Sequence, residues 1–143
     1  MMKQSTTIRT LTATDAAILD SVADEVFDNE VRPKFAQEFL ADPRHHIAVA
    51  MVDGVVVGIA TAVHYIHPDK PPELWINEVG VAPEYQRQGI ATQLMKALFA
   101  LGVALGCRQA WLGTEEENTP ARHLYASLGG TEETMVSITF QLS

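Results

Sequence analysis

A short polar segment stands between a predicted strand and a predicted helix, and its residue types suit an anion. The segment is Gln86-Arg87-Gln88-Gly89-Ile90-Ala91, and it follows Val81-Ala82-Pro83 closely. The first N–H groups of a helix lack partners within the helix, and the helix dipole favours negative charge, so this junction could bind a phosphate. Gly89 leaves the turn open to a bulky anion, and Arg87 adds a permanent positive charge. The alternative is an ordinary strand–turn–helix connection with a solvated arginine.

A second segment, Asn118 to Gly130, places an asparagine before a short predicted helix and Tyr125 seven residues later. This segment and the Gln-x-x-Gly-x-Ala spacing of the loop together resemble the GCN5-related N-acetyltransferase (GNAT) superfamily. The resemblance covers roughly Leu74 to Gly130 and both motifs occur in the order of the superfamily. Within it, Trp75–Val81 and Arg87–Thr92 look like the type I aminoglycoside 3-N-acetyltransferases, with an acid at the position of Glu78.

The resemblance implies acetyl-CoA as the co-substrate, without a metal. It implies that the acyl-CoA lies in a cleft between two splayed central strands of a mixed, mainly antiparallel sheet. Gly80 lies inside the strand before the loop, where glycine often marks a bulge or a close approach of backbone. The residues that the resemblance assigns to acetyl-CoA are Val79, Gly80, Val81, Gln86, Arg87, Gln88, Gly89, Ile90, Ala91 and Asn118.

Tyr125 is the candidate general acid. A phenol has an unperturbed pKa of about 10 and a thiol one of about 8.5, so the tyrosine stays protonated at neutral pH and can protonate a departing thiolate. Taken alone, a tyrosine beside Leu124 and Leu128 would more often be a packing residue. Asn118 could bind the pantetheine amides, or it could merely precede a helix capped by Thr119.

Glu78 is the candidate general base. A primary amine with a pKa of about 10 must lose a proton before it attacks a thioester, and a carboxylate beside that strand could take the proton directly or through water. A surface or salt-bridged acid is an equally good interpretation. Glu73 and the run Glu115–Glu117 could form a rim that attracts cations, although such a run is usually a solvated loop.

Other polar and aromatic residues carry weaker indications. His64, Tyr65 and His67 precede a proline-rich loop, where they could line an acceptor entrance or be ordinary loop residues. The spacing supplies no third metal ligand, so a metal site is not expected. Trp75 and Tyr65 could shape an acceptor pocket, but packing is the better interpretation.

Composition limits the function classes. The 143 residues carry a net charge of −8 and are 47% hydrophobic, which is typical of a globular domain. An acidic chain is a poor nucleic-acid binder but is compatible with a cationic small molecule. No apolar run approaches the ~20 residues that span a bilayer, and no signal-like segment is evident, so a cytoplasmic protein is expected. A homodimer is expected only from the resemblance.

The element order is β-α-α-β-β-β-α-β-α-β, which predicts an α+β fold in one GNAT domain over residues 1–143. The early part is expected to hold helices over about 15–27 and 32–40, and the hairpin 47–63 turns at Asp53-Gly54. The later part is expected to hold a strand over 74–81, a helix from Ile90, a strand at 109–112, a short helix from Thr119, and a half-buried strand over 135–142.

These observations predict an acetyl-CoA-dependent N-acetyltransferase that acts on a primary amine, with a small cationic acceptor preferred. Acetylation of a protein N-terminus or a lysine is the enzymatic alternative. A non-catalytic acyl-CoA-binding regulatory module is the alternative from another class.

Overall fold

The computed structural model describes residues 5–143. The chain forms two compact units, Met1–Gly113 and Thr114–Ser143. The first contains the sheet and two helices, and the second contains one helix. The single domain expected over 1–143 remains a prediction.

One sheet organises the first unit, with strands in the order β1-β2-β3-β4-β5. The strands are Thr7–Thr10 (β1), His45–Val52 (β2), Val55–Tyr65 (β3), Glu73–Val81 (β4) and Ala110–Trp111 (β5). The first four are antiparallel, whereas β5 runs parallel to β4. The mixed, mainly antiparallel sheet is therefore confirmed.

The β2–β3 hairpin is the predicted one. Asp53 and Gly54 have φ values of 50° and 78°, and positive φ at both central residues matches the twist of a two-residue hairpin. The hairpin sets the register that buries Ile47, Val49 and Ile59 almost completely in the core. This strand pair is the rigid support on which β4 lies.

Three α-helices are present in the described residues: Pro33–Ala41 (α1), Ile90–Ala104 (α2) and Thr119–Ser127 (α3). The buried face of α2 includes Ile90, Leu94 and Leu98, as their spacing predicts. A Cβ on Gly58 would lie 3.1 Å from Ile90 and 3.3 Å from Leu94, so this glycine lets α2 approach β3 closely. None of the helices in residues 5–143 combines the length and apolar character needed to cross a bilayer.

The helix expected over 15–27 is wrong. Only Ala16–Asp20 is helical, as one short 3₁₀ segment. Beyond it the backbone bonds to β3: Val56 donates its N–H to the Ser21 carbonyl, and Ala23 donates to the Val56 carbonyl. Because these groups pair with a strand, they cannot continue a helical ladder. The apolar residues of this segment are spaced as in a helix, but the backbone pairs with β3 instead.

The strand expected over 135–142 is also wrong, because no secondary structure follows α3 in the described chain. Alternating side chains indicate which residues would share a face, but a strand forms only where a neighbouring backbone supplies hydrogen bonds. The apolar residues of the segment are instead exposed, with Phe140 at 78% and Leu142 at 95%.

Candidate active site

The centre of the candidate site is an irregularity in β4. Ala60 faces Val79 and Ala62 faces Ile76, so Thr61 of β3 stands opposite two residues, Asn77 and Glu78. This is a β-bulge, which redirects side chains and locally bends the strand. The Thr61 hydroxyl oxygen accepts a hydrogen bond from the Glu78 N–H at 3.0 Å.

A cavity of about 460 Å³ opens beside this bulge, and both Asn77 and Glu78 line it. Its other walls come from the segment between the 3₁₀ helix and α1, from α1, and from β2. Phe27, Phe35 and Phe39 make part of the lining apolar, and Asp28 and Glu30 add two further carboxylates. A partly apolar cavity of this volume with a few polar groups is typical of small-molecule sites.

Glu78 has a pKa above its ordinary value. The main cause is desolvation by burial, and the nearby carboxylate of Asp28 adds to it. The backbone N–H of Asp28 acts in the opposite direction, because it donates a hydrogen bond that favours the ionised form of Glu78. A carboxylate with a raised pKa is a better proton acceptor than an ordinary one, which suits a general base.

Gly80 explains how Asp28 reaches Glu78. A Cβ on Gly80 would collide with the carbonyl oxygen of Val26, so the backbone of Val26 lies directly against β4. The close approach expected at Gly80 is therefore confirmed, while the bulge itself lies at Asn77–Glu78. Only glycine permits this contact, and the residues that follow, 27–32, line the cavity beside Glu78.

The outer edge of β4 is partly open, as the expected cleft requires. β5 pairs with β4 only at Leu74↔Ala110 and Trp75↔Trp111, so no described strand pairs with Ile76–Val81 on that side. In an antiparallel pair with β3, alternate residues of β4 direct their N–H and C=O groups away from β3. The Val79–Val81 backbone could therefore bond an extended ligand with amide groups.

The segment after β4 leads into a helix whose N-terminus has no side-chain cap. Gly89 is the N-cap of α2 with φ 79°, and no side chain caps this helix. Arg87 also has a positive φ of 62°. The side chains of Gln86 and Gln88 donate to the carbonyls of Val81 and Glu84, which ties the segment to itself. The uncapped N–H groups of α2 fit a diphosphate such as that of acetyl-CoA.

The second unit contains Asn118 and Tyr125. Asn118, and not the expected Thr119, caps α3: its side-chain oxygen accepts a hydrogen bond from the Ala121 N–H at 3.2 Å. An asparagine carbonyl reaches the free N–H groups of the first turn, and this local bond decides the cap. Tyr125 lies on α3, half-buried, and burial raises its pKa. The phenol therefore stays protonated at neutral pH.

The histidines expected near an entrance do not line the cavity. His64 instead pairs with His46 of β2, with 2.8 Å between ring nitrogens, and His67 lies 3.1 Å from a carboxylate oxygen of Glu73. Tyr65 and Trp75 are also absent from the cavity walls. Residues 5–143 contain no group of three or more histidine, cysteine or acidic side chains placed to hold a metal ion.

Sequence reasoning missed Thr61, Asn77 and Asp28. Asp28 lies in the run Phe27-Asp28-Asn29-Glu30, where two acids after an apolar residue were the only available signal. The sequence contains no signal for Thr61 and Asn77, because a bulge depends on how two strands pair. The segment between the two predicted helices thus contributes chemistry that its sequence did not reveal.

Comparison with known proteins gives the same architecture. The structure of AAC(6′)-Iy in complex with the bisubstrate analog CoA-S-monomethyl-acetylneamine superposes with a TM-score of 0.77 at 25% identity, covering 97% of this chain and 99% of that one. The shared architecture is that of an acetyltransferase. Residues 14–129 match the profile of the Acetyltransferase (GNAT) family. The chain belongs to this family.

Two curated relatives have different acceptors in their names. The aminoglycoside N(6′)-acetyltransferase type 1 of Salmonella typhimurium is 33% identical over 93 residues, which are 61% of this chain and 64% of that enzyme. The N-alpha-acetyltransferase RimI of Mycobacterium tuberculosis is 31% identical over 127 residues, covering 86% and 77%. The match thus spans less than two thirds of the Salmonella enzyme. Among aminoglycoside acetyltransferases, this chain is similar to the N(6′) class. The predicted similarity to the 3-N class was therefore wrong.

Proposed function

We propose that this protein is an acetyl-CoA-dependent N-acetyltransferase whose acceptor is a primary amine of a small cationic molecule. The observation that carries the proposal is the cavity beside β4, where Glu78 has a raised pKa next to the carboxylate of Asp28. An ammonium group would be attracted to this pair, and the amine would then lie beside the strand proposed to hold the thioester.

The proposed reaction is direct attack on the thioester. Glu78 takes a proton from the acceptor ammonium, directly or through water, and the neutral amine forms a C–N bond to the acetyl carbon. Backbone N–H groups of Val79–Val81 stabilise the oxyanion. The C–S bond then breaks, and Tyr125 protonates the departing thiolate. The proton that the nitrogen loses as the amide forms returns to the Tyr125 phenolate through solvent. The α2 N-terminus, with Gln86–Ala91, is proposed to bind the diphosphate of acetyl-CoA, and Asn118 is proposed to bind its pantetheine amides.

The cavity favours a small acceptor over a polypeptide. Its volume of about 460 Å³ suits a drug-sized molecule, and its phenylalanines beside three acids suit a cation with a carbon ring. An aminoglycoside with a 6′-amine has this chemistry, in line with the Salmonella relative. A protein N-terminus is the second candidate, favoured by the similarity to the N-alpha-acetyltransferase RimI.

The test is thiol release from acetyl-CoA against aminoglycosides, polyamines, amino acids and short peptides, with Tyr125→Phe and Glu78→Gln measured alongside. We expect turnover with aminoglycosides, and a loss of about a hundredfold in kcat for each variant, in the range of a lost general acid or base. Normal turnover in Tyr125→Phe or in Glu78→Gln would overturn that residue's role. Acetyl-CoA binding without transfer to any amine would favour the regulatory-module alternative.

We also propose a cytoplasmic homodimer. The support for the dimer is the C-terminal segment, where Val136, Ile138, Phe140 and Leu142 alternate with polar residues and are all more than 70% exposed. Exposed apolar runs of this kind usually mark an interaction surface. A second copy of this chain is the partner proposed to cover it.

A further inference from the structure

The second residue of the bulge is held by a side chain outside β4. Seven consecutive residues of β3, 56–62, are buried, and Thr61 is the only one with a polar side chain. Thr61 is 6% exposed, and its hydroxyl oxygen lies 3.0 Å from the Glu78 nitrogen. A buried polar group in an apolar strand requires a partner, and the Glu78 N–H is that partner.

The hydrogen bond acts where β3 and β4 lose register. In a regular antiparallel pair the Glu78 N–H would bond to a backbone carbonyl or to solvent, but a bulge leaves the extra residue outside the ladder. The Thr61 hydroxyl replaces the missing ladder acceptor. Both Asn77 and Glu78 therefore keep positions on the cavity wall.

We propose that Thr61 is a positioning residue for acetyl transfer: its hydroxyl holds the β4 bulge and thereby directs the Glu78 carboxylate to the acceptor amine. This inference rests on the function proposed above. Thr61 does not transfer a proton itself. Its effect on the reaction passes through the placement of Glu78.

The test compares Thr61→Val with Thr61→Ser. Valine keeps the shape but removes the acceptor, whereas serine keeps the acceptor and removes a methyl group. We expect Thr61→Val to lower kcat/KM for the acceptor about tenfold to a hundredfold, since small misplacements of a reacting group have effects of this size. Thr61→Ser should remain within about threefold of the wild type, and the KM for acetyl-CoA should change little in both.

Two further readouts separate positioning from a general loss of structure. In Thr61→Val the ascending limb of the pH–rate profile should move to lower pH, because Glu78 becomes more solvated, while Asp28, Glu30, Arg32 and His45, the other titratable groups of the cavity, are unchanged. The Glu78 amide should also exchange with solvent at least tenfold faster in Thr61→Val, but not in Thr61→Ser.

The outcomes are distinct. Wild-type rates and pH profile in Thr61→Val would overturn the inference, and so would equal losses in the valine and serine variants, because serine retains the hydroxyl acceptor. If the wild type acetylates no amine, the proposed function fails. Amide exchange then decides the structural part by itself: unchanged exchange of Glu78 in Thr61→Val overturns it, and faster exchange supports it.

Discussion

Burial is the main cause of the raised pKa of the half-buried Glu78, and the exposed Asp28 adds to it. Its carboxylate raises the pKa of Glu78, whereas its backbone N–H lowers it, so only the carboxylate depends on the residue type. A substitution by asparagine removes the charge and retains the backbone hydrogen bond. A substitution of Asp28 therefore changes the pKa of the proposed base while Glu78 itself stays in place.

We expect Asp28→Asn to move the ascending limb of kcat/KM to lower pH, because removal of the neighbouring negative charge lowers the pKa of Glu78. The acceptor KM should rise several-fold for a polycation, as for a lost exposed charge pair of up to about 1 kcal/mol. The measurement is a pH–rate profile with one active acceptor. Asp69→Asn, exposed and outside the cavity walls, is the control for net charge; equal shifts in both variants would contradict the role of Asp28.

His46 is expected to make the fold sensitive to acid. Its pKa falls to about 4, mainly through burial and also through His64 and His45, although Asp42 opposes the fall. The unfolded chain binds the proton near pH 6.5, and the folded protein binds it only near pH 4. The free energy of unfolding is therefore highest above pH 6.5 and decreases as the pH falls from 6.5 to 4. The decrease should be no more than about 2 kcal/mol after solvent screening.

Urea unfolding at several pH values measures this dependence. In His46→Gln, the free energy of unfolding should depend less on pH between 6.5 and 4 than it does in the wild type. An unchanged slope would show that another group causes it.

At the scale of elements, β4 has two roles. It carries Glu78, and it contacts the backbone of Val26 at Gly80. Gly80→Ala places a methyl group against the Val26 carbonyl, and either β4 or residues 26–32 must move. We expect the free energy of unfolding to fall by about 1–3 kcal/mol, as in other overpacked sites, and the acceptor KM to rise. Urea unfolding and steady-state kinetics measure the two effects. Gly113→Ala, which meets no atom within 4 Å, should change neither.

The start of α2 is the second element with a separable role. Gly89 and Gly106 flank this helix with φ values of 79° and 86°, and neither would meet another atom if it carried a Cβ. Alanine at either position should therefore cost a similar ~1 kcal/mol of backbone strain. Only Gly89→Ala should weaken acetyl-CoA binding, because only this end has free N–H groups for the diphosphate.

Isothermal titration with CoA and urea unfolding test this pair together. Equal losses of CoA affinity in the two variants would show that destabilisation, and not the loop, controls binding.

At the scale of the whole molecule, the exposed C-terminal segment predicts self-association. The mass in solution should be about 31 kDa, twice the 15.6 kDa of one chain. In the double substitution Ile138→Asp and Phe140→Asp, charges replace two of the exposed apolar side chains, so the dimer should dissociate. Light scattering after gel filtration measures the mass of the wild type and of the variant.

The control is the double substitution Ser137→Asp and Thr139→Asp, at polar positions of the same segment, and it should leave the dimer intact. A monomeric wild type would contradict the dimer proposal.

The local sequence determined those features whose physical causes are local. Asp53-Gly54 requires positive φ at two residues and so predicts the hairpin, and the apolar spacing after Gly89 predicts α2 with its uncapped start. The Gln86–Ala91 loop and the Asn118–Gly130 segment were sufficient to predict the family, since each motif is made of residues that lie close together in the sequence.

The tertiary structure decided what depends on the pairing of distant segments. The Glu78 N–H at the bulge bonds to Thr61 of another strand, and Asp28 reaches the cavity just beyond the point where Val26 contacts Gly80. The expected helix over 15–27 was lost for the same reason, since Ser21 and Ala23 bond to Val56. A hydrogen bond between remote backbones leaves no periodicity in either segment, so only the folded chain reveals it.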